Sequence, residues 1–437
     1  MLNLVELREN AREIFNSALR AVDAYEATRH SIILESSLLR IEDSRFEVSQ
    51  SPIYVVGIGK ASLSMAQGVE EQLSGILTRG VITCPEQPHS LPPTWQVFFG
   101  GHPLPNEASL AAARAVFELL ERANAERAVV IFLISGGGSA MIEWPSHDDI
   151  SLANLREANR LLVACGASIS EINAVRRAFS AVKGGALARR STQARIVTLI
   201  VSDTNPGDEA SVASGPTLLP PPNAPDPLEV IRHYKLQNVL PATVLQTLQG
   251  DRSDVRGQQS MGPHYVLLDN RTAIEAAANK AKAFGLATDV AKEICEQPIQ
   301  EGSELLLSQL DSVPQISEGV CLVSGGEFSC PVRGHGRGGR NLETVLRCAI
   351  SIDENKRENT PPTVVLSAGT DGIDGNSPAA GAIADETTID RARALGLEQN
   401  EFLARSDSYG FFEQLDDLIV TGPTGTNVRD VRILLRA

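Results

Sequence analysis

The chain has 437 residues, 42% of them hydrophobic and 21% charged, with 35 Gly and 24 Pro. Single hydrophobic cores stop growing at roughly 250–300 residues, so two domains are expected, and the composition is that of a loop-rich globular enzyme, not a disordered chain. A net charge of −15, with no Lys/Arg run longer than a pair, leaves no footprint for nucleic acid, so an anionic ligand must be held by a few placed cations and backbone N–H groups.

Cys84, Cys165, Cys295, Cys321, Cys330 and Cys348 are scattered, with no zinc-type spacing, and read as reduced thiols. The opening MLNLVELRENAREIF lacks an apolar signal core. The longest apolar run, Ala128 to Ile134, is far short of the ~20 residues of a membrane span. A cytoplasmic protein without membrane contact is expected.

In chain order, Leu4, Leu7, Ala11, Ile14, Ala18 and Val22 repeat at steps of three or four, which predicts an amphipathic helix that packs on a domain. Apolar strand-like runs follow: YVVGIG (54–59), GVITC (80–84), VFFGG (97–101), VVIFLIS (129–135) and IVTLIVSD (196–203). Helical patterns near 62–75, 107–123, 149–165 and 171–189 lie between them. Continuous Val/Ile runs joined by helix-length connections predict an α/β, doubly wound, Rossmann-like and mostly parallel sheet.

From Leu218 to about Gly262 the sequence turns rich in Pro, Gly and charge, as a linker does, which places the domain boundary at 255/256. The second half restarts with YVLLDN (265–270), a helix near 271–284, GVCLVSGGE (319–327), a helix from about Asn341, TVVLSAGTDG (363–372) and LIVTGPTGTN (418–427), and is read as a second α/β domain over 256–437.

Ligands of open α/β sheets sit beyond the carboxyl ends of strands, and here nearly every apolar run ends in glycines and small polar residues. GIGKAS (57–62) has Ser62 where a dinucleotide fingerprint needs its third glycine, and it lacks the earlier glycine of a P-loop. There remains Gly59–Lys60 at a strand-to-helix turn, able to meet a phosphate or carboxylate, with a solvated lysine as the plain alternative. SGGGSA sets Ser135 and Ser139 around Gly136, Gly137 and Gly138, allowing close backbone approach to an oxyanion, but is not the G-x-S-x-G of a serine hydrolase. SDTNPGDE places Asp203 and Asp208 on one loop, a Mg²⁺ or water-ordering pair unless Asp208 merely caps a helix. In RGHGRGGRN (333–341), Arg340 and Asn341 open a helix where a bidentate guanidinium and free N–H groups could converge on an anion. SAGTDGIDG adds Asp371 and Asp374 as a metal ligand or general base, or as ordinary Asp-Gly turn chemistry.

Over nearly its whole length the chain resembles the class II glycerate kinases, whose C-terminal module is the MOFRL domain. The matching motifs are GIGKAS, GGHPLPNEAS, LISGGGSA, INAVRRAFSAVKGG, VSDTNPGDEASVASGPT, SGGE, GRGGRN, GTDGIDG and TGPTGTNV. The resemblance implies two α/β domains with the active site in the cleft between them, and transfer of the ATP γ-phosphoryl group to the 2-hydroxyl of D-glycerate, with Mg²⁺. It implies Lys60 and Arg340 as the key cations. Gly59, the SGGGS run, Glu327, Asn341, Asp374 and Asn427 would contact substrate or phosphate, and Asp203, Asp208 and Asp371 would hold metal. Leu342 departs from the Gln usual after GGRN. A nicotinamide-dependent hydroxypyruvate reductase and a non-catalytic phosphometabolite sensor are the competing readings, and a homo-oligomer is left open.

Overall fold

The computed structural model describes residues 2–85, 91–250, 261–314, 319–357 and 360–437. The chain divides into two compact units, one of Ala24–Leu268 and one of Met1–Asp23 together with Asp269–Ala437. The expected boundary at 255/256 lies outside the described residues. The division differs from it in two respects: the opening helix goes with the second half, and the YVLLDN run closes the first sheet instead of starting the second domain.

The first unit begins with a helix, Ala24–Ser31, and a three-stranded antiparallel meander of β1 (Ile32–Glu35), β2 (Leu38–Ile41) and β3 (Ser44–Glu47), which the apolar runs did not announce. Its main sheet holds β4 (Ile53–Ile58), β5 (Leu77–Thr83), β6 (Trp95–Phe98), β7 (Val129–Ser135), β8 (Arg195–Val201) and β9 (His264–Leu268). All pairs are parallel, in the order β6-β5-β4-β7-β8-β9. Every residue of β4 and β7 is buried, as expected of central strands covered by helices on both faces. The covering helices include Ser62–Leu73, Glu107–Ala125, Leu152–Ala164 and Ile169–Ala178. The helix expected over 171–189 ends at Ala178, and a second, short helix, Ala186–Arg190, starts after Gly184 and Gly185, whose φ values of +59° and +82° are left-handed. The chain winds outward from β4, then returns to lay β7 on its other side, so β4 and β7 flank the topological switch point.

The second unit contains β10 (Ala287–Val290), β11 (Val320–Gly326), β12 (Thr363–Gly369), β13 (Gly381–Asp385), β14 (Leu418–Ile419) and β15 (Asp430–Arg436), in the order β10-β11-β15-β12-β13-β14. Among these strands only β10 and β11 pair in parallel; the C-terminal strand β15 slots between β11 and β12 and runs against both. The register sets Asp430, the first residue of β15, opposite Gly326 at the end of β11 and Gly369 at the end of β12. One acidic side chain is thereby carried to the edge where both neighbouring strands finish.

The helix Leu4–Ala21 is capped by Asn3, whose side chain accepts from the Glu6 N–H while Glu6 reaches back to the Asn3 N–H. Leu7, Ala11, Ile14, Phe15 and Ala18 are buried on its apolar face against the helix Asn270–Ala283 and strands β12 and β15. Each fully buried Leu, Ile or Phe contributes about 1.5–3 kcal/mol before ordering entropy is charged. Arg8 adds ion pairs to Asp385 and Asp417. Those contacts, which no local signal near residue 20 reports, assign the helix to the second unit.

Candidate functional site

In the first unit the GIGKAS and SGGGSA loops leave the carboxyl ends of β4 and β7 side by side and are stitched together. The Lys60 N–H donates to the Gly136 carbonyl at 2.9 Å, and the Ala61 N–H donates to Ser135 Oγ at 2.9 Å. Gly59 has φ +115°, and a Cβ there would lie 2.3 Å from the Ser135 carbonyl oxygen. The aliphatic stem of Lys60 runs across Gly137, at 3.0–3.3 Å from where a Cβ would stand. Backbone contact and lysine direction both depend on these glycines. Ser135 is fully buried and braces the turn, so it presents no hydroxyl to a ligand, whereas Ser139 is half-buried. Ser62 is fully buried and donates to the Thr83 carbonyl at 2.7 Å, filling the place where a dinucleotide loop needs a glycine.

Ser139 belongs to a chain of polar groups reaching into the interior. Its Oγ is 2.8 Å from Ser214 Oγ, which in turn donates to Asn173 Oδ1 at 2.8 Å. Arg177 holds the same segment through the Ala210 and Ser214 carbonyls at 2.7 and 3.4 Å. Beneath it Lys183 and Glu143 form a buried ion pair. Burial lowers the Lys183 pKa against the opposing pull of Glu143. In SDTNPGDE, the Asp208 carboxylate accepts from Ser211 Oγ at 2.8 Å and makes no backbone cap. Among the described residues no three His, Cys, Asp or Glu side chains come together as a metal cage. The donor set of Asp203 and Asp208 fits Mg²⁺ brought in on phosphates, which needs only one or two carboxylates.

In the second unit Glu327 follows β11, Asp371 and Asp374 follow β12, Asn427 precedes β15, and Arg340 and Asn341 open the helix Arg340–Glu354. The structure brings most of these together but gives them different partners from those expected. Arg340 Nε donates to Asp430 Oδ2 at 2.6 Å, and Nη2 to Asp430 Oδ1 at 3.0 Å and Glu327 Oε1 at 2.7 Å. The bidentate fork expected to hold a ligand is taken by the protein's own buried Asp430. None of these bonds uses Nη1, and the side chain is 33% exposed.

The helix N-terminus is likewise occupied. Asp374 Oδ1 accepts from the Asn341 N–H at 3.1 Å and Oδ2 from the Leu342 N–H at 2.8 Å. Asp374 is therefore a buried cap, and the N–H groups expected to be free are satisfied by it. Gly338 and Gly339 allow this packing: a Cβ on Gly339 would lie 2.4 Å from Asp374 Oδ1. Asn341 is buried as well, donating to Asp430 Oδ1 at 2.9 Å and accepting from Ser367 Oγ at 2.6 Å. Leu342 is fully buried in the core, so its departure from Gln falls on a core-facing side chain. Asp371 accepts from the Ile373 N–H at 3.1 Å, and Asn427 from the Arg429 N–H at 3.4 Å.

Electrostatics follow from this packing. Burial would lower the Arg340 pKa, but Asp430 and Glu327 raise it, so the guanidinium is locked in its charged form. Burial would raise Asp430, yet the Arg340 charge and hydrogen bond bring it below the usual carboxylate value. Glu327 is pushed up by burial, and Asp374, buried more completely, to about 7. Arg432, fully buried with its guanidinium 3.6 Å from the Phe328 ring centre, is lowered by burial to about 10. Asp430 and Arg432 are not among the candidates named from the sequence; the visible signal is an Asp and an Arg at the start of a terminal strand, DVRILLR, whose only other polar residue is the final Arg436.

The glycine loops at the switch point and the GRGGRN–Asp374–Asp430 knot coincide with two family models. Residues 10–249 match a domain of unknown function (DUF4147), and residues 320–430 match the MOFRL family. A glycerate kinase of Rattus norvegicus is 32% identical over 100% of this chain and 94% of its own. The chain belongs to the glycerate kinase family. A protein of Agrobacterium vitis named "Putative hydroxypyruvate reductase" is 33% identical over 99% of this chain and 95% of its own. Among solved structures, a glycerate kinase from Thermotoga maritima superimposes with a TM-score of 0.80 at 29% identity, covering 99% of each chain. No helix among the described residues of this glycerate kinase family member is long and apolar enough to cross a membrane.

Proposed function

We propose that the protein is a glycerate 2-kinase, moving the γ-phosphoryl group of ATP to the 2-hydroxyl of D-glycerate. The observation that carries this reading is Lys60 laid across Gly137 at the switch point of the parallel sheet, where a cation and glycine backbone converge on the place such sheets reserve for phosphates. The names of the relatives supply the substrate class. Phosphoryl transfer asks a protein chiefly to position reactants and neutralise charge, which suits Lys60 among the glycine N–H groups of the first unit and, separately, Arg340 in the second. Lys60 would neutralise phosphate oxygens, and Arg340 Nη1 would meet an anionic oxygen while Asp430 and Glu327 hold its plane still. Asp203, with Asp208 on the same loop, would hold Mg²⁺, which supplies charge neutralisation at the phosphates when bound.

The Agrobacterium name keeps hydroxypyruvate reduction as a second reading, against which Ser62 in the third-glycine position speaks. Incubation with D-glycerate, ATP and Mg²⁺, coupled through enolase without phosphoglycerate mutase, tests the main one. Signal that appears only when mutase is added would place the phosphate on the 3-hydroxyl, and NADH oxidation with hydroxypyruvate would favour the reductase.

A further inference from the structure

The Ser139–Ser214–Asn173 chain has a polarity that the chemistry of its members decides. Asn173 is buried, and its side-chain nitrogen faces the Ser211 carbonyl at 3.5 Å, a group that can only accept. Its oxygen Oδ1 therefore faces Ser214, whose single hydroxyl proton is committed to it at 2.8 Å. Ser214 Oγ is then an acceptor towards Ser139, so the Ser139 proton points inward and its lone pairs outward. Ala213 and Ser214 hold this arrangement with φ values of +51° and +63°, left-handed conformations that non-glycine residues adopt only when their surroundings impose them. A Cβ on Gly138 would lie 2.9 Å from Ala213 Cβ, so the strained segment is pressed against the SGGGSA loop itself.

We infer that Ser139 accepts a hydrogen bond from a hydroxyl group of the acceptor substrate, its polarity set by the positioning residues Ser214 and Asn173. A phosphate or carboxylate oxygen has no proton to give and would have to turn the Ser139 proton outward, breaking the buried bond to Ser214. A polyhydroxy acid supplies the required proton, and this rests on the glycerate reading above.

The test uses Ser139→Ala and Ser214→Gly, the latter because glycine accepts φ +63° without strain. Ser139→Ala should raise KM for D-glycerate about tenfold, the equivalent of one neutral hydrogen bond, and leave KM for ATP unchanged. Ser214→Gly should act in the same direction and add little to Ser139→Ala in the double variant. Inhibition constants for D-lactate, which lacks the 3-hydroxyl, and 3-hydroxypropanoate, which lacks the 2-hydroxyl, locate the contact: one of the two should bind wild type and Ser139→Ala alike. Equal weakening of both analogues would assign Ser139 to the carboxylate, and a raised KM for ATP alone would assign it to phosphate; either overturns the inference. Because Ser139 is half-buried at the chain's outer end, its alanine variant decides the matter even if Ser214→Gly fails to fold. Wild-type protein that does not phosphorylate glycerate sinks the functional reading together with this one, whereas normal wild-type turnover with an unchanged glycerate KM in Ser139→Ala sinks this one alone.

Discussion

Replacing Arg340 by Lys should damage both stability and turnover, and the split between them tests how the guanidinium is held. Arg340 makes two hydrogen bonds to the buried Asp430 carboxylate, at 2.6 and 3.0 Å, and a third to Glu327 at 2.7 Å. An ammonium reaching the same place can keep the charge and one contact to Asp430 but cannot span both oxygens. Loss of one charge-assisted bond costs about 1.5–3 kcal/mol. In a unit of this size that corresponds to a fall of roughly 3–12 °C in its unfolding temperature. Because the fork faces Asp430 and, in the proposed function, a ligand would meet Nη1, kcat/KM should fall by about 10- to 150-fold through misplacement of that nitrogen. Differential scanning calorimetry and coupled kinetics on the same preparation give both numbers. An unfolding temperature within 1–2 °C of wild type alongside a large loss of kcat/KM would show that the fork is not committed to Asp430 in solution. Unchanged kinetics would return GRGGRN to the status of a structural loop.

Lys60→Ala should nearly abolish turnover while circular dichroism stays unchanged, since the lysine lies on the loops and not in the core; near wild-type kcat would remove Lys60 from the machinery. Gly59→Ala should cost about 2–5 kcal/mol, because the new Cβ meets the Ser135 carbonyl at 2.3 Å on a backbone with φ +115°, and a thermal melt indistinguishable from wild type would contradict that packing. Asp374 gives a pH dependence of definite sign. Burial raises its pKa to about 7, so between the unfolded value near ~3.9 and 7 the folded protein holds a proton that the unfolded chain has released. That contribution is complete below about pH 4 and is lost as pH rises through 7, at no more than about 1.4 kcal/mol per pH unit. Denaturant unfolding at several pH values should therefore show the advantage of wild type over Asp374→Asn shrinking from pH 5 to 7; a constant or growing advantage would mean the buried cap is ionised throughout.

What the sequence by itself determined was set by short-range patterns. VVIFLIS reads as a strand buried on both faces and occupies Val129–Ser135, and GIGKAS and SGGGSA read as strand-end loops and meet at the switch point, because hydrophobic period and glycine placement act within a few residues. The helix at Leu4–Ala21 was visible in the same way. Its place was not: only the buried face against Asn270–Ala283 and the Arg8 ion pairs put it with the second unit, and these span more than 250 residues. YVLLDN looks like the first strand of a new domain until its hydrogen bonds to β8 are seen. The site divides along the same line. Lys60, Arg340, Asn341 and Asp374 could be named from motifs, since residue type and position next to a glycine turn are local facts. Which oxygen each nitrogen meets is not local. Asp430 reaches Arg340 because β15 inserts between β11 and β12, Asp374 caps the helix because two loops interlock glycine against carboxylate, and Ser139 meets Ser214, 75 residues along the chain, whose own proton goes to Asn173 Oδ1.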